Sequence, residues 1–365
     1  VVLQPIMSDE VAIGGVPAGQ TAALAGVPAP MMIRTDTHEP GAGKEAEGGK
    51  HLEKLKAAGV IGIRRAVRIT AAPADATAMP LQPNQRLLHL QRHGQGFHNL
   101  SSELLRNLGV DPKNAGANHP YKLPEMVDPP LTDKGRAQCK ARQETAAALT
   151  PPLVMVSPLC RAIQTALTTF QHLRGSVPFV AIEALRETIG MNTCDKRRSR
   201  TDLVVEYAHA IDLSRIEHDE DVLWTAEHRE EPQELVDRIY CFLLELREQA
   251  EMETTAHRAP PHGMQHAARH AGAPCAARRA VARRRTMRLH ESLTSSPRPR
   301  RRAQEVQELA LVGHSGWLLA MLAAVCDCGP HRRLASWFET CEIRSVVLTF
   351  EDRLTEAVGK LRMDD

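Results

Sequence analysis

The sequence predicts an α/β fold of three layers, in which a mainly parallel sheet carries helices on both faces. From Arg86 onward, short apolar runs alternate with longer amphipathic stretches, which is the pattern of strands connected by helices. The runs are almost continuously apolar, as expected for strands that are buried on both faces. The chain has 365 residues and is 42% hydrophobic, which is enough for one large core or two smaller ones.

The apolar runs are predicted to be buried strands, and the amphipathic stretches are predicted to be helices. In chain order the strands are Leu87–Leu90, Leu153–Val156, Phe179–Ile182, Leu309–Val312 and Val346–Phe350. The helices are Asp133–Leu149, Leu159–Leu173, Glu234–Gln249 and Trp317–Val325. Sheets of this kind place their functional sites at the carboxyl ends of the strands.

Two segments differ in composition from this domain, which we place at residues 85–355. Residues 1–84 are rich in Ala, Gly and Pro, with one short helix expected around Lys50–Ala58, and are predicted to be a poorly ordered extension. Residues 251–303 are rich in Arg, Ala and Pro and are predicted to be a disordered insertion.

The insertion concentrates positive charge. Residues 257–302 contain twelve Arg and one acid, so a net charge of +2 for the chain leaves −9 for the rest (2 − 11). Such a segment is either an arm that binds nucleic acid by counterion release or a solvated loop. Since no aromatic residue interleaves with these arginines, the loop is favoured, and nucleic acid is expected at 278–302 if anywhere.

Other features limit the class of protein. The longest apolar stretch near the C-terminus, Trp317–Cys326, is far shorter than the roughly 20 residues of a membrane span, so no membrane partner is expected. The eight cysteines include no Cys-x-x-Cys pair, which favours free thiols and a cytoplasmic location. Residues 1–30 show no secretory signal, but the chain does not begin with Met, so its targeting stays open. Its oligomeric state is also open.

Two arginines and a histidine follow the first and second predicted strands. Arg92-His93-Gly94 comes directly after the first strand, where a neutral imidazole is a competent nucleophile and a guanidinium can hold the phosphate that it attacks. Arg161 lies on the first turn of the helix after the second strand. A helix N-terminus also favours an anion.

A second histidine and a carboxylate follow two further strands. His314 lies in Gly313-His314-Ser315-Gly316, and Glu187 ends the segment Leu185-Arg186-Glu187. Glu187 is suited to protonate a leaving oxygen, and His314 is expected to act as a third cation beside Arg92 and Arg161. Taken singly, each residue also fits a buried histidine or a solvated charge; taken together, they predict phosphoryl transfer.

The segments around these residues resemble the histidine phosphatase superfamily, which has the phosphoglycerate mutase-like fold. The matching segments are Arg92-His93-Gly94 with Asn99, Leu131 to Gln138, Ser157 to Ala166, Leu185-Arg186-Glu187 and Gly313 to Gly316. The resemblance implies that His93 becomes phosphorylated. It also implies that Arg92, Arg161 and His314 form the phosphate pocket, that Glu187 is the proton donor, and that neither a metal nor another cofactor is needed.

Within the superfamily, residues 95–99 and 192–198 are similar to a branch found in plants and fungi. Mutases usually carry Glu after Arg-His-Gly, whereas this chain has Gln95, which favours a phosphatase over a mutase. The expected substrate is a small phosphorylated metabolite. The residues expected to bind it are Asn99, Gln95, Ser315, Lys196 and Arg197.

Other classes of protein fit less well. The segment 313–317 has Trp317 where the Gly-x-Ser-x-Gly motif of serine hydrolases needs its last glycine, and the Gly-Lys pairs near residues 43 and 49 lack the rest of a nucleotide-binding loop. His89, His93 and His98 have no recognised zinc-ligand spacing. An alternative from another class is a catalytically impaired interaction protein that uses the arginine-rich insertion.

Overall fold

The computed structural model describes residues 42–77, 79–116, 119–256 and 307–353. The strands are β1 (Val67–Pro73), β2 (Gln85–Arg92), β3 (Val154–Val156), β4 (Phe179–Ala181), β5 (Glu308–Gly313) and β6 (Ile343–Asp352). The helices are α1 (Ala42–Ala57), α2 (Phe97–Asn107), α3 (Asp133–Ala141), α4 (Gln143–Ala147), α5 (Cys160–Thr169), α6 (Arg200–Tyr207), α7 (Pro232–Ala256) and α8 (Ser315–Ala320). A π-helical turn, Met321–Val325, continues α8.

The strands form one mixed sheet in the order β1-β6-β2-β5-β3-β4. Strands β2, β5, β3 and β4 pair in parallel, whereas β6 is antiparallel to both β1 and β2. All five strands predicted from the apolar runs are present. The predicted α/β class and the mainly parallel sheet are therefore confirmed.

Alternation along the strands gives the sheet two apolar faces. On β5, Leu309 and Leu311 belong to one buried cluster, whereas Ala310 and Val312 belong to the other, as the two-residue period of a strand requires. The first cluster takes side chains from α1, α7 and α8, and the second takes them from α4, α5 and α6. Helices therefore cover both faces, which is the predicted three-layer arrangement.

Part of the predicted N-terminal extension belongs to this fold. Strand β1 pairs along β6 from Val67 to Pro73, and the inward side chains Val67, Ile69 and Ala71 are buried. Leu55 of α1 is also buried in the first cluster. The predicted domain boundary at residue 84 therefore differs from the structure, in which α1 and β1 belong to the domain. The inward face of a short edge strand needs only three apolar side chains, and such a short pattern is hard to recognise in an Ala-rich sequence. Residues 1–41 lie outside the described part.

The boundary of the predicted insertion also differs slightly. Helix α7 continues to Ala256, so it includes the first six residues of the segment that we assigned to the insertion. Residues 257–306 lie outside the described part of the chain, so the prediction for them stays a prediction. None of the helices in the described part combines the length and the apolar character that a bilayer span requires.

The strand register places the ends of three neighbouring strands side by side. Arg92 at the end of β2 pairs with Gly313 at the end of β5, and Val312 of β5 pairs with Val156 at the end of β3. Since the three strands are parallel, the next residues along the chain, His93, His314 and Ser157, meet at one edge of the sheet.

Candidate active site

His93 is held in one tautomer by two different hydrogen bonds. Its Nδ1 lies 2.6 Å from the carbonyl oxygen of Gly94, and its Nε2 lies 3.3 Å from Nε of Arg161. A carbonyl can only accept a hydrogen bond and a guanidinium can only donate one, so Nδ1 carries the proton and Nε2 carries the lone pair. The buried imidazole, 3% exposed, therefore presents Nε2 as a nucleophile.

The surroundings of His93 keep the imidazole neutral. Burial lowers the pKa of His93 well below its usual range, and the charges of Arg161 and Arg92 lower it further. The hydrogen bond to the Gly94 carbonyl acts in the opposite direction but is a smaller effect. The ring therefore stays unprotonated at neutral and mildly acidic pH, which nucleophilic attack requires.

Arg161 is the hub of the site. The second residue of α5, it is 1% exposed and donates to Nε2 of His93, to the Cys194 carbonyl at 2.6 Å and to Oδ1 of Asp195 at 3.0 Å. Its Nη2 also lies 3.3 Å from Nδ1 of His314. The guanidinium plane is thus fixed between the two histidines by groups that only an arginine can satisfy together.

His314 lies against His93 as expected, but it does not act as a third cation in this structure. The two ring centroids are 5.0 Å apart, and Nδ1 of His314 must accept from Arg161, which leaves Nε2–H to donate to Oγ of Ser157 at 2.8 Å. Burial and the charge of Arg161 lower the pKa of His314 well below its usual range. The expected positive charge at His314 is therefore replaced by a neutral imidazole.

Arg92 lies beside the nucleophile and is anchored from behind. It is 7% exposed, its Nη1 donates to the Phe338 carbonyl at 2.7 Å, and its guanidinium carbon lies 5.5 Å from the centre of the Trp337 ring. Its charge contributes to the lowered pKa of His93. In the described protein, then, the positive charges next to His93 come from Arg92 and Arg161.

Glu187 follows β4 at a distance, after the 3₁₀ turn Glu183–Leu185. Its Oε2 accepts from the N–H of Gly316 at 3.0 Å, and its Oε1 accepts from the N–H of Thr188 at 3.0 Å. A side chain at position 316 would collide with this carboxyl group. Gly316 in the predicted segment 313–316 is therefore required to seat Glu187 at the start of α8.

Gln95 and Asn99, which are predicted to bind substrate, hydrogen-bond to other residues in this structure, and Ser315 is buried. Gln95 is buried, donates to Glu103 at 2.7 Å and accepts from the hydroxyl of Thr132 at 2.8 Å. Asn99 accepts from the N–H of Gly96 at 3.1 Å and so caps α2. Ser315 is the buried first residue of α8.

Lys196 and Arg197 have different surroundings although they are adjacent. The Lys196 ammonium lies 5.0 Å from the centre of the half-buried Trp224 ring. Arg197 is 2% exposed and donates to Glu183 and to the carbonyls of residues 198, 218, 219 and 220. Since a guanidinium has five N–H groups, Arg197 has none left for a substrate. The prediction that Arg197 binds substrate is therefore wrong: it holds the 218–220 loop.

The sequence did not predict the contributions of Asp195, Arg229 and His98 to the site. Asp195 is buried and lies between Arg161 and Arg229. Its Oδ2 accepts a hydrogen bond from Nη1 of Arg229 at 2.9 Å. His98 is 4% exposed, its ring centroid lies 5.8 Å from that of His93, and its Nδ1 has no hydrogen-bond partner among the described residues. Asp195 lies inside the quoted segment 192–198, so the carboxylate among its basic residues was the available signal.

The competing metal site is not formed by these residues. His89 hydrogen-bonds to Ser345 and to Glu308, whereas the rings of His93 and His98 lie against each other. In the described ranges, no group of three or more His, Cys, Asp or Glu side chains is arranged to hold a metal ion.

Comparison with known proteins identifies the family. The profile of the histidine phosphatase superfamily (branch 1) matches residues 88–268. A phosphoglycerate mutase-like protein of Arabidopsis thaliana is 32% identical over 224 residues, which cover 52% of this chain and 78% of that protein. A probable phosphoglycerate mutase of Arthroderma benhamiae is 34% identical over 155 residues, which cover 40% of this chain and 45% of that protein. The chain belongs to the histidine phosphatase superfamily, and the predicted resemblance is confirmed.

Two solved structures match this chain at lower sequence identity. A mycobacterial glucosyl-3-phosphoglycerate phosphatase matches with a TM-score of 0.35 at 17% identity, over 72% of this chain and 90% of that chain. A putative alpha-ribazole-5'-P phosphatase from Escherichia coli matches with a TM-score of 0.36 at 16% identity, over 73% and 95% of the two chains.

Proposed function

We propose that this protein hydrolyses a small phosphomonoester through a phosphohistidine on His93. The observation that carries the proposal is the fixed tautomer of His93, in which the bond to Gly94 holds the proton on Nδ1 and leaves Nε2 as the nucleophile beside Arg161. A lowered pKa keeps this imidazole neutral.

In the first step, Nε2 of His93 attacks the phosphorus in line with the ester oxygen. The N–P bond forms while the P–O ester bond breaks, and Glu187 gives its proton to the departing oxygen. The charges of Arg161 and Arg92 lie where negative charge on the phosphoryl oxygens needs compensation. As Nε2 bonds to phosphorus, Nε of Arg161 loses its acceptor and becomes available to a phosphoryl oxygen.

In the second step, water attacks the phosphorus of the phosphohistidine. The P–N bond breaks, inorganic phosphate leaves, and the electron pair returns to Nε2 of His93. Glu187, now a carboxylate, accepts the proton of the attacking water. Water is the only reactant that this step adds, and His93, Glu187 and the two arginines serve both half-reactions.

Phosphoglycerate mutase-type transfer is the second candidate, because two relatives carry mutase in their names. The first step would be the same, and the phosphoryl group would return to another hydroxyl of the substrate. Gln95 favours hydrolysis, since it places a neutral amide where mutases usually carry a carboxylate, and its amide is engaged by Glu103 and Thr132. An interaction protein that uses the arginine-rich insertion would depend on residues 257–303, outside the described ranges.

The experiment compares wild type, His93→Ala and the control His209→Ala, a change at an exposed histidine, with p-nitrophenyl phosphate at mildly acidic pH. We expect release of p-nitrophenol from wild type and His209→Ala and none above background from His93→Ala. Equal release from all three proteins would contradict the proposal. A panel of phosphorylated metabolites, assayed for inorganic phosphate and for isomerised product, then separates hydrolysis from mutase chemistry.

A further inference from the structure

Two cysteine thiols that the proposed chemistry does not use touch each other behind the nucleophile. Cys139 of α3 and Cys341, which immediately precedes Glu342 and β6, have their sulfur atoms 3.3 Å apart. They are 0% and 1% exposed, and both are free thiols. A separation of 202 residues in sequence means that the fold itself brings this pair together.

The pair lies against the loop that carries His93. A Cβ atom built on Gly94 would lie 3.0 Å from the sulfur of Cys341 and 3.2 Å from that of Cys139. The hydroxyl of Thr165 links the same atoms: it accepts from the N–H of Gly94 at 3.0 Å, lies 3.6 Å from the sulfur of Cys139, and donates to the carbonyl of Arg161 at 2.8 Å. One contact network thus joins both thiols to the nucleophile loop and to Arg161.

A neighbouring side chain ties the same three segments together. Gln138, the residue before Cys139, accepts from the N–H of Gln95 at 3.0 Å and donates to Oγ1 of Thr340 at 2.9 Å. Thr340 is the residue before Cys341. Helix α3, the loop after His93 and the segment before β6 are therefore bonded to each other at this point, so a displacement of either cysteine is transmitted to the backbone of residues 94–95.

The two thiols differ in a way that suits stepwise oxidation. The hydrogen bond with Cys341 lowers the pKa of the Cys139 thiol, whereas the same bond and burial raise the pKa of Cys341. The thiolate is the form that reacts with an oxidant. Cys139 is therefore the thiol that is oxidised first, and Cys341, already in contact, is the thiol that resolves the product.

We propose that Cys139 and Cys341 form an oxidative modification site, where a hydroperoxide converts the pair to a disulfide that lowers catalysis by displacing the His93 loop. The Cys139 thiolate attacks one peroxide oxygen, the O–O bond breaks, and the departing oxide takes up a proton, which leaves a sulfenic acid. The sulfur of Cys341 then attacks that of Cys139, the S–S bond forms, the S–O bond breaks, and water leaves with the thiol proton. Two electrons pass from the dithiol to the peroxide.

The geometry explains why oxidation affects the site. A disulfide bond is about 2.05 Å long, so the two sulfur atoms, now 3.3 Å apart, must approach by roughly 1.2 Å. The space that they leave borders Gly94, and positional errors of about 1 Å in a catalytic group can lower a rate by about 10²-fold. Since neither thiol is exposed, the peroxide enters during local opening of this region, and the frequency of opening limits the rate of oxidation.

The experiment uses the reduced full chain treated with hydrogen peroxide and follows two readouts. Mass spectrometry detects a loss of two hydrogen atoms and a peptide that links Cys139 to Cys341, and a phosphatase assay measures kcat before and after dithiothreitol. The same treatment is applied to Cys341→Ala, to Cys139→Ala and to the control Cys241→Ser, which changes an exposed thiol. The two alanine variants guard against the failure of either one to fold.

We expect the linked peptide in wild type and in Cys241→Ser, a fall in kcat of at least tenfold, and recovery with dithiothreitol; the alanine variants should keep their own initial kcat during the same treatment. Absence of the linked peptide while other thiols are oxidised would overturn the proposal, as would equal inactivation of the alanine variants. The loss of kcat rests on the proposed function, whereas the linked peptide does not. A protein without phosphatase activity that still forms the disulfide would refute the function and keep the modification site.

Discussion

Replacing Arg161 by lysine tests the arginine hub while preserving its charge. Arg161 donates from three different nitrogens to His93, Cys194 and Asp195 and lies within hydrogen-bond distance of His314. A lysine ammonium carries its three N–H groups on a single nitrogen, so it cannot reach both histidines and the two acceptors behind them. Even if the ammonium took the position of Nη2, which makes two of the four hydrogen bonds, the bonds from Nε and Nη1 would be lost.

The expected magnitude follows from the hydrogen bonds that a lysine cannot form. A hydrogen bond that involves a charged group contributes about 1.5–3 kcal/mol, so the absence of two such bonds costs about 3 kcal/mol or more. One decade in rate corresponds to about 1.4 kcal/mol. We therefore expect Arg161→Lys to lower kcat/KM at least about 10²-fold.

The assay is steady-state hydrolysis of p-nitrophenyl phosphate by wild type, Arg161→Lys and the control Arg174→Lys, which alters an exposed arginine. Thermal unfolding of each protein shows whether the variant is folded at the assay temperature. A folded Arg161→Lys enzyme with kcat/KM within about threefold of wild type would refute the idea that the guanidinium plane positions His93 and the phosphate.

The remaining predictions concern the pH dependence of stability, the position of the Glu187 carboxyl group, and the basic residues Lys196 and Arg197. Folding lowers the pKa values of the buried histidines His93, His98 and His314, so the unfolded chain binds more protons below about pH 6.5. Each of these imidazoles should then lower the free energy of unfolding by about 1.4 kcal/mol for each pH unit below that point. Urea unfolding at pH 7.5 and 5.5 should therefore show a smaller loss of stability in His98→Gln than in wild type. Gly316→Ala displaces the carboxyl group of Glu187 and should lower kcat more than tenfold. Arg197→Ala should lower the free energy of unfolding by about 3–5 kcal/mol, whereas Lys196→Ala should mainly raise KM.

Each of these predictions has a result that would contradict it, and Gly49→Ala is the control for Gly316→Ala. Gly49→Ala adds a methyl group in α1 where nothing lies within 4 Å, so it should leave kcat unchanged; an equal fall in both glycine variants would show that Glu187 is not the affected group. An identical pH effect on the stability of wild type and His98→Gln would contradict the neutral state of the buried histidines. Normal stability of Arg197→Ala together with a raised KM would return Arg197 to the substrate site.

The positions of the parallel strands and of the residues at their ends were predicted correctly, because they depend on neighbouring residues in the sequence. Each strand of the parallel core is a continuous apolar run, so its position and its carboxyl end follow from the order of residues, and Arg92, His93 and His314 lie at strand ends for that reason. Strand β1 escaped prediction because its inward residues alternate with polar ones in an Ala-rich stretch, and its burial depends on pairing with β6, about 280 residues further along the chain.

The roles of the basic residues could not be read from the sequence because they depend on distant partners. Lys196 and Arg197 are neighbours, yet one lies over Trp224 and the other is consumed by the carbonyls of the 218–220 loop. The charge of His314 likewise depends on burial and on Arg161, neither of which a motif specifies. Sequence order therefore predicted which strand ends meet, and packing decided the protonation and the partners of the side chains.

The proposed nucleophile predicts which nitrogen of the protein is phosphorylated during turnover. The enzyme is mixed with a phosphomonoester, quenched in alkali, in which phosphohistidine survives, and analysed by peptide mass spectrometry and ³¹P NMR. We predict a phosphoryl group on the peptide that contains His93, attached to Nε2, since Nδ1 is engaged by the Gly94 carbonyl. Turnover without a phosphorylated His93, or attachment at Nδ1, would contradict the proposal that Nε2 of His93 is the nucleophile.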